Sequence, residues 1–199
     1  QVDYTVNPAL GIPAMTGPED HDEPVAHAMP CWDLIAGQQM VSNLLAAERH
    51  RLRKGAGQEV VMSLKDVAAA TIGHLGIIGD AVINDNDREK SGNALYGAYG
   101  QDFVCADGQR VMVIGLTAGQ WKGLLNVTGT ANAIAKLGRR MGRDMNDEGT
   151  RWDLRHQITA ILAPWFAARR VDEFASEFET RGLTWSVFRT VKEAVQQDP

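Results

Sequence analysis

Cysteine is nearly absent: Cys31 and Cys105 are the only two in 199 residues. Their spacing matches no metal-ligand or redox motif. A disulfide-dense secreted scaffold is excluded, and two reduced thiols in a cytoplasmic protein are the expectation. Long apolar runs are missing too. None approaches the ~20 residues of a membrane span, and no charged-then-apolar leader opens the chain. Charge of one sign is also lacking, since 20 Lys and Arg face 25 Asp and Glu for a net charge of −5. No overall field therefore favours nucleic acid or anionic lipid, and neither is expected as a partner. The basic groups that do cluster (Arg49, Arg51, Arg53, Lys54, then Arg139, Arg140, Arg143) read as solvated helix ends.

Several catalytic signatures are also wanting. Gly55-x-Gly57 lacks the third glycine of a phosphate loop and follows a helical pattern rather than a strand, so it is a turn. The nucleophile elbow and the HExxH zinc motif do not occur. The acidic run Glu19, Asp20, His21, Asp22, Glu23 lacks the defined loop that would converge on a cation. The five histidines are scattered. No resident metal is expected.

What is present is an ordinary globular composition, 44% hydrophobic and 23% charged, enough to bury a real core. The chain opens on Gln1 and reads as the middle stretch of a longer protein. The first thirty residues, rich in Pro, Gly and acid, read as loop. From Asp33 to about Arg53 apolar residues recur at helical steps (Leu34, Met40, Val41, Leu44, Leu45, Leu52), and Gly55 ends the helix. A strand is expected over 59–62, and a helix from the Ser63-x-x-Asp66 capping box to about Ile83. Gly73, Gly76 and Gly79 on one face of it suggest close helix packing, ahead of backbone approach to a ligand. A breaker-rich linker covers 84–91. Asp107-Gly108 then joins two β runs, 102–105 and 110–116, as a hairpin. Helices follow near 117–127, 130–141, 150–168 and 171–181, then a β run over 183–188 and a polar tail. The class is mixed α and β.

Among these elements Pro30-Cys31-Trp32-Asp33, running straight into a helix, can carry chemistry. Asp33 stands where an N-cap belongs, and capping alone would account for it. A carboxylate at a helix N-terminus is also a competent nucleophile that can form an acyl-enzyme. Trp32 could then exclude water from a mixed anhydride.

In this order, Asp33, Gly37, the helix Leu44-Leu45-Ala46-Ala47-Glu48-Arg49, the turn Lys54-Gly55-Ala56-Gly57-Gln58-Glu59-Val60 and Ser63-Leu64-x-Asp66 resemble the central block of family III CoA-transferases. Gly92-Asn93, the Asp107-Gly108 hairpin and Thr117-x-x-Gln120-Trp121 resemble the family's small domain, and 183–191 with Asp198-Pro199 its return segment. The resemblance implies a partial family fold. Residues 1–83 would be the central part of a Rossmann-like large domain carrying the nucleophile, 84–93 a linker, 94–182 the small α+β domain and 183–199 the return to the large domain. It implies acyl-CoA as substrate, CoA entering only as part of it, no permanently bound cofactor, and an interlocked homodimer. Asp33 would be the catalytic nucleophile, with Trp32, Gly37, Gly92, Asn93, Tyr96 and Tyr99 facing substrate.

Within the family, Val2-Asp3-Tyr4-Thr5-Val6-Asn7, Thr16-Gly17-Pro18, His27-x-x-Pro30-x-Trp32-Asp33 and Tyr96-Gly97-x-Tyr99-Gly100 resemble a branch that moves CoA between C1 and C4 of mesaconate. The racemase branch carries a histidine where Val2 stands, and inversion of a carbon centre needs a second acid/base group. Two alternatives stay open: transfer of CoA between different acids, or a non-catalytic folding or dimerisation module made by these residues alone.

Overall fold

The computed structural model describes residues 2–197. Asp198 and Pro199, read above as part of a return segment, lie outside the described residues. The chain forms two compact units that meet in sequence between Gly92 and Asn93.

The first unit is helical, with α1 (Asp3–Ala9), α2 (Ile12–Met15), α3 (Cys31–Lys54), α4 (Leu64–His74) and α5 (Ile77–Ile83). The opening stretch is therefore not all loop. Helices this short depend on tertiary burial rather than propensity, and Val6 on α1 is fully buried against Trp32, Ala68 and Ile72. α3 ends as its sequence demands. Gly55 takes the left-handed conformation (φ 72°) and returns its amide to the Arg51 carbonyl, with Arg51, Arg53 and Lys54 in the last turn.

Most of the α3 apolar stripe does not face a core. Leu34, Met40, Val41, Leu44, Leu45 and Leu52 are 55% to 69% exposed, and Trp32 is the buried residue of the helix. The expected strand at 59–62 is also absent: no neighbouring strand is available among the described residues of this unit, and Val61 stands exposed. Ser63 caps α4 by accepting from the Asp66 amide at 3.0 Å. The helix expected to run on to Ile83 breaks instead at Gly76 (φ 78°), where α5 turns away by 73°. A Cβ at Gly76 or Gly79 would meet nothing within 4 Å, and one at Gly73 only Ile78 at 3.6 Å. Close packing is thus not what these glycines serve among the described residues; at Gly76 the backbone conformation is.

The second unit is α+β. The hairpin β1 (Tyr99–Val104) and β2 (Arg110–Gly115) pairs antiparallel with Phe103 opposite Val111, and β3 (Thr184–Val187) adds to the far side of β2. Asp107 fixes the turn by accepting from the Gln109 amide at 3.1 Å and ties it to the Val171 amide at 3.0 Å. These bonds hold its carboxyl below the usual carboxylate range, the Val171 N–H contributing most. Gly108 (φ 78°) supplies the left-handed residue the turn needs.

Helices α6 (Ala118–Thr128), α7 (Ala131–Met141), α8 (Glu148–Asp153), α9 (Arg155–Ala167), a 3-10 turn (Val171–Glu173) and α10 (Ala175–Thr180) surround the sheet. The one helix expected over 150–168 is two, broken at Leu154. Inward residues of the hairpin (Tyr99, Phe103, Val111, Val113) pack with Ile158, Leu162 and Phe166 of α9 and with Trp121 and Leu124 of α6. The polar tail is helical over its described residues. It forms α11 (Val191–Gln197), started by Thr190 and Glu193, which bond each other's amides.

Arg151 on α8 lies at the centre of this unit with no exposed surface. Its Nη1 donates to the carbonyls of Asn146 (2.8 Å) and Met145 (3.3 Å), and its Nη2 to that of Leu116 (2.7 Å). The guanidinium lies 5.4 Å from the Trp121 ring centroid.

Candidate functional site

Asp33 is the third residue of α3, not its cap. Pro30 occupies the cap position and offers no side-chain acceptor. The Asp33 carboxylate is exposed and has no hydrogen bond or ion pair among the described residues. It stands in the first turn, where the helix dipole is positive and negative charge is favoured.

The missing cap comes from α1. The Trp32 amide donates to Asp3 Oδ2 at 2.7 Å, and the Trp32 indole Nε1–H donates to Asn7 Oδ1 at 3.1 Å. Asp3 and Asn7 are one helical turn apart, so both face α3. Each is 1% exposed. His27 closes the cluster, its Nε2 lying 3.0 Å from Asp3 Oδ1 and its ring centroid 6.0 Å from that of Trp32. The buried Trp32 ring packs in the small core with Val6, Ala68 and Ile72. An exposed carboxylate therefore follows directly in the chain on a residue held at both backbone and side chain.

Trp32, Asp33 and Gly37 share α3, with Gly37 exposed and nothing within 4 Å of a Cβ placed there. Gly92 ends the first unit in the left-handed conformation (φ 57°), its amide bonded to the Gly17 carbonyl at 3.0 Å. Asn93, Tyr96 and Tyr99 belong to the second unit. Tyr96 is exposed, with its ring 4.9 Å from that of Trp152. Tyr99 is fully buried in the core, its hydroxyl 3.0 Å from Thr159 Oγ1, and burial raises its pKa far above the usual phenol range. The loop carrying these tyrosines is closed by a bond from the Leu95 amide to the Gly100 carbonyl at 3.0 Å. Asp3, Asn7 and His27 entered the sequence reading only as parts of resembling motifs, and nothing there paired them with Trp32. The available signal was Pro30, which cannot cap the helix it begins.

The whole sequence, residues 1–199, matches CoA-transferase family III. It is 53% identical over 199 residues to a protein named 2-methylfumaryl-CoA isomerase from Chloroflexus aurantiacus, all of this chain aligning with 49% of that protein. A succinate–glutarate CoA-transferase from Agrobacterium fabrum is 30% identical over 128 residues, 64% of this chain and 31% of that one. Among solved structures, a CAIB/BAIF family protein from Brucella suis superposes with a TM-score of 0.70 at 22% identity, covering 99% of this chain and 50% of the other. A hypothetical protein from Mycobacterium tuberculosis gives 0.76 at 18% identity, with 99% and 51% covered. The chain thus spans about half the length of the curated relative it matches along its whole length.

Proposed function

Because this chain belongs to CoA-transferase family III, we propose that it carries the nucleophile, Asp33, of an enzyme that moves CoA between the C1 and C4 carboxylates of mesaconate, converting 2-methylfumaryl-CoA to 3-methylfumaryl-CoA. The observation that carries this reading is the 53% identity across all 199 residues to a protein named 2-methylfumaryl-CoA isomerase.

The chemistry explains why a protein carboxylate is needed. The two carboxyl groups of a fumaryl skeleton lie on opposite sides of a double bond, so they cannot close a cyclic anhydride and pass CoA directly. Asp33 would attack the C1 thioester carbonyl, forming a mixed anhydride and releasing CoA thiolate. Thiolate attack on the aspartyl carbonyl moves CoA to Asp33 and frees mesaconate. The C4 carboxylate then attacks this aspartyl thioester, and the released thiolate takes the C4 acyl group, restoring the Asp33 carboxylate. Trp32 beside Asp33 would limit hydrolysis of the anhydride. Gly37, Gly92, Asn93 and Tyr96 are the proposed substrate-facing positions. A second copy of the protein is the proposed cover for the exposed apolar stripe of α3, a patch of the kind that marks an interface. Two unpaired cysteines accord with a reducing, cytoplasmic setting.

The test is Asp33→Asn in the full-length protein. An amide preserves the shape of the first turn but forms no anhydride. Turnover should vanish while the melting temperature holds, and wild type quenched with hydroxylamine during turnover should carry a hydroxamate at Asp33. Activity within about tenfold of wild type, about 1.4 kcal/mol of barrier, would remove Asp33 from the mechanism. Transfer of CoA between different acids is the second reading, favoured by the 30% identity to a succinate–glutarate CoA-transferase. Labelled free acids offered as acceptors separate the two, since the isomerase would leave them unlabelled by CoA.

A further inference from the structure

The Asp33 side chain has no partner of its own among the described residues, and its helix begins at a proline that cannot cap it. Something else must fix where this carboxylate stands. We infer that Asp3, assisted by Asn7, is the positioning residue for Asp33: it grips the neighbouring residue Trp32 and so sets the first turn of α3. This rests on Asp33 being the nucleophile.

Three observations support it. The bond from the Trp32 amide to Asp3 Oδ2, at 2.7 Å, reaches the second helical residue, one of the two amides that an N-cap side chain would satisfy. The indole bond to Asn7 at 3.1 Å prevents rotation of the same residue about its side chain. Trp32 is therefore held at backbone and side chain by two residues of one α1 face, and Asp33 follows it directly in the chain.

The third observation is the nature of the grip. Asp3 and Asn7 are each 1% exposed, and Asn7 Nδ2 has no hydrogen-bond partner among the described residues. Burying a carboxylate and an unsatisfied amide disfavours folding, and apolar residues of similar size would pack there at lower cost. What the polar pair provides that an apolar pair cannot is direction: two fixed hydrogen bonds on one residue. Reacting groups tolerate little displacement, and a shift of about 1 Å lowers rates on the order of a hundredfold.

The experiment uses the full-length protein with 2-methylfumaryl-CoA, measuring kcat, KM, melting temperature and hydroxamate formation at Asp33. Asp3→Ala removes the acceptor and should lower kcat about a hundredfold with KM within threefold of wild type. Asp3→Asn keeps an oxygen for the Trp32 amide and should retain kcat within about tenfold. A merely structural Asp3 would lower the melting temperature but leave kcat per folded molecule within threefold, and that result overturns the inference. Equal losses in Asp3→Ala and Asp3→Asn would also overturn it, because charge or the His27 contact would then matter rather than the cap. Should Asp3→Ala fail to fold, Asn7→Ala decides. A drop in kcat of about tenfold at constant KM supports the grip, and an unchanged kcat overturns it. A wild type that yields no hydroxamate at Asp33 fails the nucleophile assignment itself and this inference with it. A labelled wild type with an indifferent Asp3→Ala fails the inference alone.

Discussion

Replacing Arg151 by Met tests whether a buried cation can be structural without a carboxylate bonded to it. Methionine matches the length of the arginine stem and can lie along Trp121, so little packing is lost. The three carbonyls of Met145, Asn146 and Leu116 lose their donors. A hydrogen bond from a charged group contributes about 1.5–3 kcal/mol, and a dry acceptor left behind loses its full desolvation energy. Of the three, the bond to Met145 is wholly buried while the other two are partly so and can regain water. Against this, Arg151 itself is disfavoured by burial, which lowers its pKa, an effect only partly countered by the nearby charges of Glu148, Asp147 and Asp144. Removing a buried ion can be neutral when its partners leave with it. Here the acceptors remain, so the sign is destabilising, by about 2–4 kcal/mol. For a unit of this size each kcal/mol moves the melting temperature about 4–8 °C, so circular dichroism should show a fall of roughly 8–32 °C. Arg151→Lys, which keeps the charge but reaches fewer carbonyls, should fall between. A shift below about 3 °C for Arg151→Met would refute the reasoning by showing that the carbonyls rehydrate freely.

Burial pushes the Cys105 thiol up to about 11, with the Asp107 charge adding to the effect. Iodoacetamide near pH 8 should therefore modify the partly exposed Cys31 and spare Cys105 until the protein unfolds; equal rates would contradict this. The same shift raises the folded-state value above the unfolded one, so the stability it contributes is complete below pH ~9 and is lost as pH rises through ~11. In deuterated water the full-length protein should convert 2-methylfumaryl-CoA without deuterium entering the carbon skeleton, since anhydride exchange breaks only acyl bonds. Rapid uptake would reveal an active base, His27 being the first to replace. These 199 residues expressed alone, about half the length of the full-length relative, should neither turn over substrate nor bind CoA tightly. A dissociation constant near micromolar by calorimetry, about −8 kcal/mol, would place the CoA site here instead.

What the sequence made legible was what neighbours in the chain decide. Ser63 with Asp66, Asp107 with Gly108 and Gly55 after Lys54 each act within a few residues, and each stands where the pattern put it. The mixed α and β class followed from the same local signals. What escaped needed partners far away in sequence. The helix over Asp3–Ala9 exists because Val6 is buried, which no local pattern of Pro and Gly announces. The stretch 59–62 has strand composition but no strand to pair with. The α3 stripe was legible as apolar yet not as exposed, because periodicity identifies a face without saying what covers it. At the candidate site, the sequence singled out Asp33 by its motif. Its helix position, third rather than cap, was not legible, because the true acceptor is 29 residues upstream.

That separation also bears on the order in which the protein assembles. Closing a loop of this length opposes folding by about 3 kcal/mol, so the bond from Trp32 to Asp3 forms only once α1 has docked. The body of α3 can nucleate and lengthen on its own within about a microsecond. Its first turn, lacking a local cap, is then the last part of the helix to become fixed. In hydrogen exchange, the Trp32 amide reports on docking of α1, whereas amides in the middle of α3 report on the helix itself. A molecule in which α1 has come loose lacks both of the bonds that hold Trp32.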